Sequence, residues 1–135
     1  MRGPGIHFIA HERRNNNMNI NQSLEELMKI DGAQCAAVVD SSSGMMLGNI
    51  GTGVDMEIAA AGNTEVVRAK LKTMKALGIN DTIEDMLITL GAAYHIIRPM
   101  VKEEGVFIYT VLDKSRANLA MARRKIAEIE KGLVF

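Results

Sequence analysis

The chain has 135 residues, a formal net charge of +0 and a single cysteine. That length fits one domain able to bury on the order of 68% of the surface its unfolded chain exposes, without a disulfide or metal staple. The charge balance removes the general attraction to phosphate backbones and anionic membranes, the lone cysteine excludes an intrachain disulfide and fits a reducing cytoplasm, and no apolar run approaches the roughly 20 residues that span a bilayer.

Residues 1–17 read as a flexible N-terminal extension or an artificial leader, with Gly3, Pro4 and Gly5 followed by Arg13, Arg14 and three asparagines, and the domain is assigned to 18–135. Met18 offers an alternative start. His7 and His11 have the i,i+4 spacing of a helical metal pair, but the glycines and proline before them disfavour a helix and no third ligand stands nearby. A first helix is predicted from Ser23, where Ser23, Leu24, Glu25 and Glu26 form an S-x-x-E capping box, to a stop at Asp31 and Gly32. Leu24, Leu27 and Met28 would dock it.

Cys35–Val39 follows as a strand that is apolar without alternation, which implies cover on both faces of a sheet. Asp40, Ser41, Ser42, Ser43 and Gly44 turn the chain into a second strand at Met45, Met46 and Leu47. In this setting Cys35 reads as a buried inert thiol and the serines as turn formers, not nucleophiles. Gly48–Gly53 is glycine-rich and enters the longest helical pattern in the chain, an arrangement that invites a phosphate loop. It lacks the third glycine of a dinucleotide fingerprint and the Lys-Ser or Lys-Thr of a P-loop, and Asp55 and Glu57 would repel an anion at the helix start. A flexible connector is expected instead.

The central helix is predicted from Asp55 to Leu77. Ala60, Thr64, Val67, Leu71 and Met74 make its core-facing stripe. Ala59, Gly62, Val66, Ala69 and Thr73 make a second stripe, of small residues that would admit another helix closely. Gly62, about 1 kcal/mol worse than Ala in a helix interior, suggests a packing reason, against the alternative of chance in an alanine-rich helix. Glu65, Arg68, Lys72 and Lys75 occupy the polar face.

Gly78, Asn80 and Asp81 lead into a third strand over Thr82–Leu90, a hairpin at Gly91 and Ala92, and a fourth strand over Ala93–Ile97 that ends near Arg98 and Pro99. Lys102–Gly105 turns into a fifth strand, Val106–Leu112, apolar on both faces and therefore expected at the centre. Asp113 or Ser115 is expected to cap the last helix, with Leu119, Ala122, Ile126 and Ile129 facing inward and Arg124 pairing Glu128. His95 falls within a strand, without neighbours at metal-ligand spacing, and reads as structural or exposed. The methionines, Met45, Met46, Met56, Met74, Met86 and Met100 among them, suit an adaptable core and also protein-binding surfaces.

The opening Leu24, Leu27, Gly32, then Ala36 to Asp40, Ser43, Gly44 and Leu47, the small-residue helix after Asp55, and the strand triplet ending at Leu112 before a basic helix together resemble the roadblock/dynein light chain family, in its bacterial-type form. The resemblance implies an α+β sandwich of profilin-like roadblock type in the order α-β-β-α-β-β-β-α: a five-stranded antiparallel sheet with the long helix on one face and the terminal helices on the other. It also implies a non-catalytic homodimer that regulates or scaffolds a small Ras-like GTPase, while eukaryotic relatives serve dynein and membrane signalling complexes.

The third strand contains neither proline nor lysine to blunt an edge. The expected dimer interface therefore joins Ile83, Asp85, Leu87 and Thr89 to the small stripe Ala59, Gly62, Val66, Ala69 and Thr73, each meeting its own copy. The resemblance places partner contacts on the paired helices, which makes Glu65, Arg68, Lys72 and Lys75 the expected partner platform; a merely solvated helix face is the alternative. No catalytic residue, cofactor, metal, nucleic-acid partner or membrane insertion is expected, and the location is cytoplasmic. Two other functions stay open. A PAS or profilin-like small-molecule sensor is disfavoured by the alanine-rich interior and 4% aromatic content, and a small enzyme would have to use Asp40, His95 or Cys35.

Overall fold

The computed structural model describes residues 17–135. The expected extension and its His7–His11 pair lie outside the described residues apart from Asn17. The elements are α1 (Ile20–Leu27), β1 (Ala33–Asp40), β2 (Met45–Gly51), α2 (Met56–Ala76), β3 (Met86–Thr89), β4 (Ala93–Pro99), β5 (Val106–Asp113) and α3 (Leu119–Gly132). The strands form one antiparallel sheet in the order β2-β1-β5-β4-β3. This is the expected α+β sandwich, and β5 is the central strand.

The absence of alternation in β1 and β5 has the anticipated cause. Cys35, Ala37, Val39, Phe107, Tyr109 and Val111 face α2, where Met56, Ala60 and Val67 cover them. Ala36, Val38, Ile108 and Leu112 face α1 and α3, against Leu24, Leu27, Ala122, Ile126 and Ile129. Each central strand thus has two dry faces. The second face also contains a buried ion pair: Arg98 Nε donates to Glu130 Oε1 at 3.1 Å and the Val101 N–H donates to Oε2 at 3.2 Å. The ends of the domain are clasped, since the Met18 N–H donates to Gly132 O and the Val134 N–H to Met18 O.

Several local expectations are corrected. α1 begins at Ile20, not Ser23, because Asn19 supplies the cap: its side chain accepts from the Gln22 N–H while Gln22 reaches back to the Asn19 N–H. Ser23 is buried inside the helix with no partner for its hydroxyl. Gly48–Gly51 belongs to β2 and is not a connector. A Cβ on Gly48 would stand 2.8 Å from Ile20 Cγ2, and Gly51 has φ +88 with Gln34 O where its Cβ would be, so the glycines let α1 and β1 approach. β3 is shorter than Thr82–Leu90, and its first segment is pulled aside where Arg123 binds Asp85 through two bonds of 2.8 Å. Asn118, not Asp113 or Ser115, caps α3; Asp113 instead holds Ser115 in the preceding turn. Leu71 is 49% exposed rather than in the core. A 21-residue helix runs about 31 Å and outreaches the strands beneath it, so after Val67 only Met74 is buried. Arg124 and Glu128 form no ion pair among the described residues.

Gly51→Ala is expected to cost about 3 kcal/mol, since a left-handed residue adds strain to a backbone clash. Gly48→Ala should cost less, about 1 to 2 kcal/mol, because side-chain atoms of Ile20 and Leu24 and not backbone must yield. Urea denaturation of the two variants checks the order.

Candidate functional site

α2 is longer than its cover. It lies nearest β1 and β2, and the cover on this face of the sheet stops at Ile97 and Met86, which leaves the hairpin end of β3 and β4 open. There Met86, Ile88 and Leu90 share one side of the edge strand by alternation, and Ile88 and Leu90 are 38% and 44% exposed. Beside this floor rises the uncovered flank of α2, with Ala59 half-buried and Gly62, Val66, Ala69 and Thr73 exposed. An added Cβ on Gly62 meets nothing within 4 Å. Floor and wall together make a trough of apolar and small side chains.

His95 lies on the floor, opposite Ile88 in register. Its Nδ1 is 3.0 Å from the hydroxyl of buried Tyr109, whose pKa burial raises while nearby Asn63 of α2 lowers it. These polar groups lie where the wall meets the floor. Burial pushes the His95 pKa below its ordinary value, so the imidazole is held neutral. Burial also raises the Cys35 thiol, which leaves it an unreactive core group.

The remaining anticipated residues separate into distinct settings. Leu87 and Thr89 are on β3, the free edge. The Leu90 N–H donates to Ala93 O across the hairpin, and antiparallel alternation then directs the N–H and C=O of Leu87 and Thr89 outward. Ile83 and Asp85 precede the strand. Asp85 is committed to Arg123 and does not belong to an unpaired edge. Glu65, Arg68, Lys72 and Lys75 are all exposed on α2. Arg68 is not free, however, because its Nη2 donates to the carbonyls of Ser41 at 2.7 Å and Ser42 at 3.0 Å. It fastens α2 to the β1–β2 turn, a role that side-chain chemistry alone did not disclose.

A cleft of about 620 Å³ continues the trough beneath the segment before β3, lined by Lys70, Met74, Ile79, Asp85, Met86 and Arg123 among others. Among the described residues no group of three His, Cys, Asp or Glu could hold a metal ion, and no helix is long and apolar enough to cross a membrane.

Neither a family model nor a curated protein matches the sequence. Solved structures do match the fold. A roadblock/LC7 domain from Streptomyces avermitilis superposes with TM-score 0.72 at 11% identity, covering 84% of this chain and 93% of that one. MglB of Myxococcus xanthus gives TM-score 0.71 at 20% identity, over 84% and 91%. The gliding protein MglB of Thermus thermophilus gives 0.65 at 18%, over 83% and 88%, and an MglB in a tetrameric arrangement matches equally. The fold is therefore the roadblock fold.

Because His95 has a lowered folded pKa, the unfolded chain takes up that proton first as pH falls through about 6.5. Stability contributed by the neutral imidazole is present above that pH and is lost below it, before the lowered carboxylates Asp40 and Asp113 titrate. Denaturation midpoints between pH 7 and 5 should fall more steeply for wild type than for His95→Gln.

Proposed function

We propose that this protein is a homodimeric, non-catalytic regulator or scaffold of the roadblock type, whose paired α2 helices receive a protein partner. The observation that carries the reading is the half-covered sheet. A second copy related by a two-fold axis would pair β3 with β3, satisfying the outward groups of Leu87 and Thr89, and would lay its α2 flank against Ala59, Gly62, Val66 and Ala69. Small side chains on both walls permit a close approach. The same operation would bury Ile88, Leu90 and His95, the groups that a monomer leaves half-finished.

The partner is proposed from the sequence resemblance to be a small Ras-like GTPase. Lys72 and Lys75 support the proposal as exposed cations that enter no ion pair among the described residues. Dimerisation would double them across the seam. Arg68 contributes through the turn it secures, so its loss would be felt in local structure as well as in charge.

Light scattering after size exclusion tests the dimer. Leu87→Pro removes an outward N–H while sparing the ladder to β4, and should give a folded monomer. Gly62→Leu, whose Cβ meets nothing within 4 Å in the protomer, should weaken association by about 1 to 3 kcal/mol. Dimers of native affinity in both variants would remove the trough as the interface.

Lys72→Glu with Lys75→Glu should leave fold and dimer intact, since exposed charges contribute about 0 to 1 kcal/mol. Capture of a GDP- or GTP-loaded GTPase should become slower and more weakly salt-dependent. Unchanged association kinetics at matched ionic strength would exclude this platform.

A further inference from the structure

We propose that His95 makes self-association through the trough sensitive to pH, so that two copies join while the imidazole is neutral and part when it takes up a proton. The inference rests on the homodimer proposed above and concerns the regulation of that interface. His95 is half-buried on the floor, with Ile88 beside it on β3 and Val111 on β5. Its ring meets that of Tyr109 edge to face, with centroids 5.6 Å apart and an interplanar angle of 75°. The 3.0 Å bond between Nδ1 and the Tyr109 hydroxyl fixes the direction of the ring.

The two nitrogens of an imidazole point nearly opposite ways, so with Nδ1 turned inward to Tyr109, Nε2 is turned out to the trough. It bonds no described residue, which leaves solvent as its partner in the protomer. A second copy laid over the trough would remove that solvent and set Nε2 beside Ile88, Leu90 and the small side chains of α2. A proton on the ring would then be a charge sealed in an apolar seam.

Nothing nearby offsets that charge. On β5 and β1 the titratable neighbours are Tyr109 and Cys35, and burial raises the pKa of both, so each stays uncharged. α2 brings only a further cation, Lys70, to the trough side. The segment before β3 carries Asp81, Glu84 and Asp85 at the cleft, with Asp85 bound to Arg123. Asp113, opposite Ala93 in register, holds Ser115. None of these charges acts on the imidazole, whose titration burial alone displaces. Closing the interface buries the ring further and lowers its pKa again, so separated protomers bind more protons than the dimer. Association is therefore at full strength above the ordinary histidine value of about 6.5 and is lost as pH falls below it.

The test is sedimentation velocity of the full chain at fixed ionic strength from about pH 7.5 to about pH 5.5, with circular dichroism at each pH to show that the protomer stays folded. The dimer dissociation constant of wild type should rise about tenfold or more across that range, since each of two protomers takes up a proton. That of His95→Gln, whatever its value at the upper pH, should move by less than about threefold. His7 and His11 are present in both proteins, so the difference belongs to His95. Calorimetric dilution of wild type near pH 6, in two buffers of different ionisation heat, should show protons taken up as dimers part, and it decides the matter if His95→Gln does not fold. A wild-type dimer indifferent to pH, an equal response in folded His95→Gln, or dissociation without proton uptake would overturn the inference and leave the dimer standing. Monomers at every pH would overturn both.

Discussion

α2 rests on the β1–β2 side of the sheet because its buried stripe is narrow: Met56, Ala60, Thr64 and Val67 can sit close to Cys35, Ala37 and Val39 without a wide apolar face. Arg68 fixes the lateral position by bonding the turn between those two strands. With the helix held there, cover of β4 and β3 on this face stops at Ile97 and Met86, and the flank carrying Gly62 and Ala69 is left without a neighbour. The trough is a consequence of this offset, and so is the continuing cleft at Met74 and Met86.

The other face has no such gap. α1 and α3 pack on each other and on the sheet, and Leu24, Leu27, Ile126 and Ile129 are almost wholly buried. The Arg98–Glu130 pair lies within this layer with both carboxylate oxygens bonded; removing one partner of such a pair leaves an uncompensated buried charge, at a cost of about 3 to 5 kcal/mol. Lys102 Nζ donates to Lys131 O, and the Met18–Leu133 bridge holds the start of the domain to the end of α3. One face is thus complete in the protomer and the other is not, an asymmetry suited to a surface that works by association.

The polar groups at the border of the trough agree with that use. Tyr109 and His95 pair with each other, and Thr64 donates back to Ala60 O. What remains on the open flank is apolar, small or solvated. Such a surface offers area and shape to a macromolecule.

Much of this was legible in the chain. Runs without alternation at Cys35–Val39 and Val106–Leu112 marked strands covered on both faces, and three-four spacing from Ala60 to Val67 marked the helix and its buried side, because periodicity records which side of an element is dry. The small stripe and the unblunted third strand were also visible as composition. Tertiary structure decided the rest. Gly48 and Gly51 looked like a connector because glycine is ambiguous until a neighbour approaches, and only Ile20 and Gln34 make them strand residues. Leu71 kept the helical phase of a core residue but lies beyond the sheet. Asp85 and Arg68, distant in sequence from Arg123 and from Ser41 and Ser42, acquired their partners only on folding. Local periodicity fixes the inward side of each element, whereas the lateral placement of α2, and with it the open surface, depends on contacts between residues far apart in the chain.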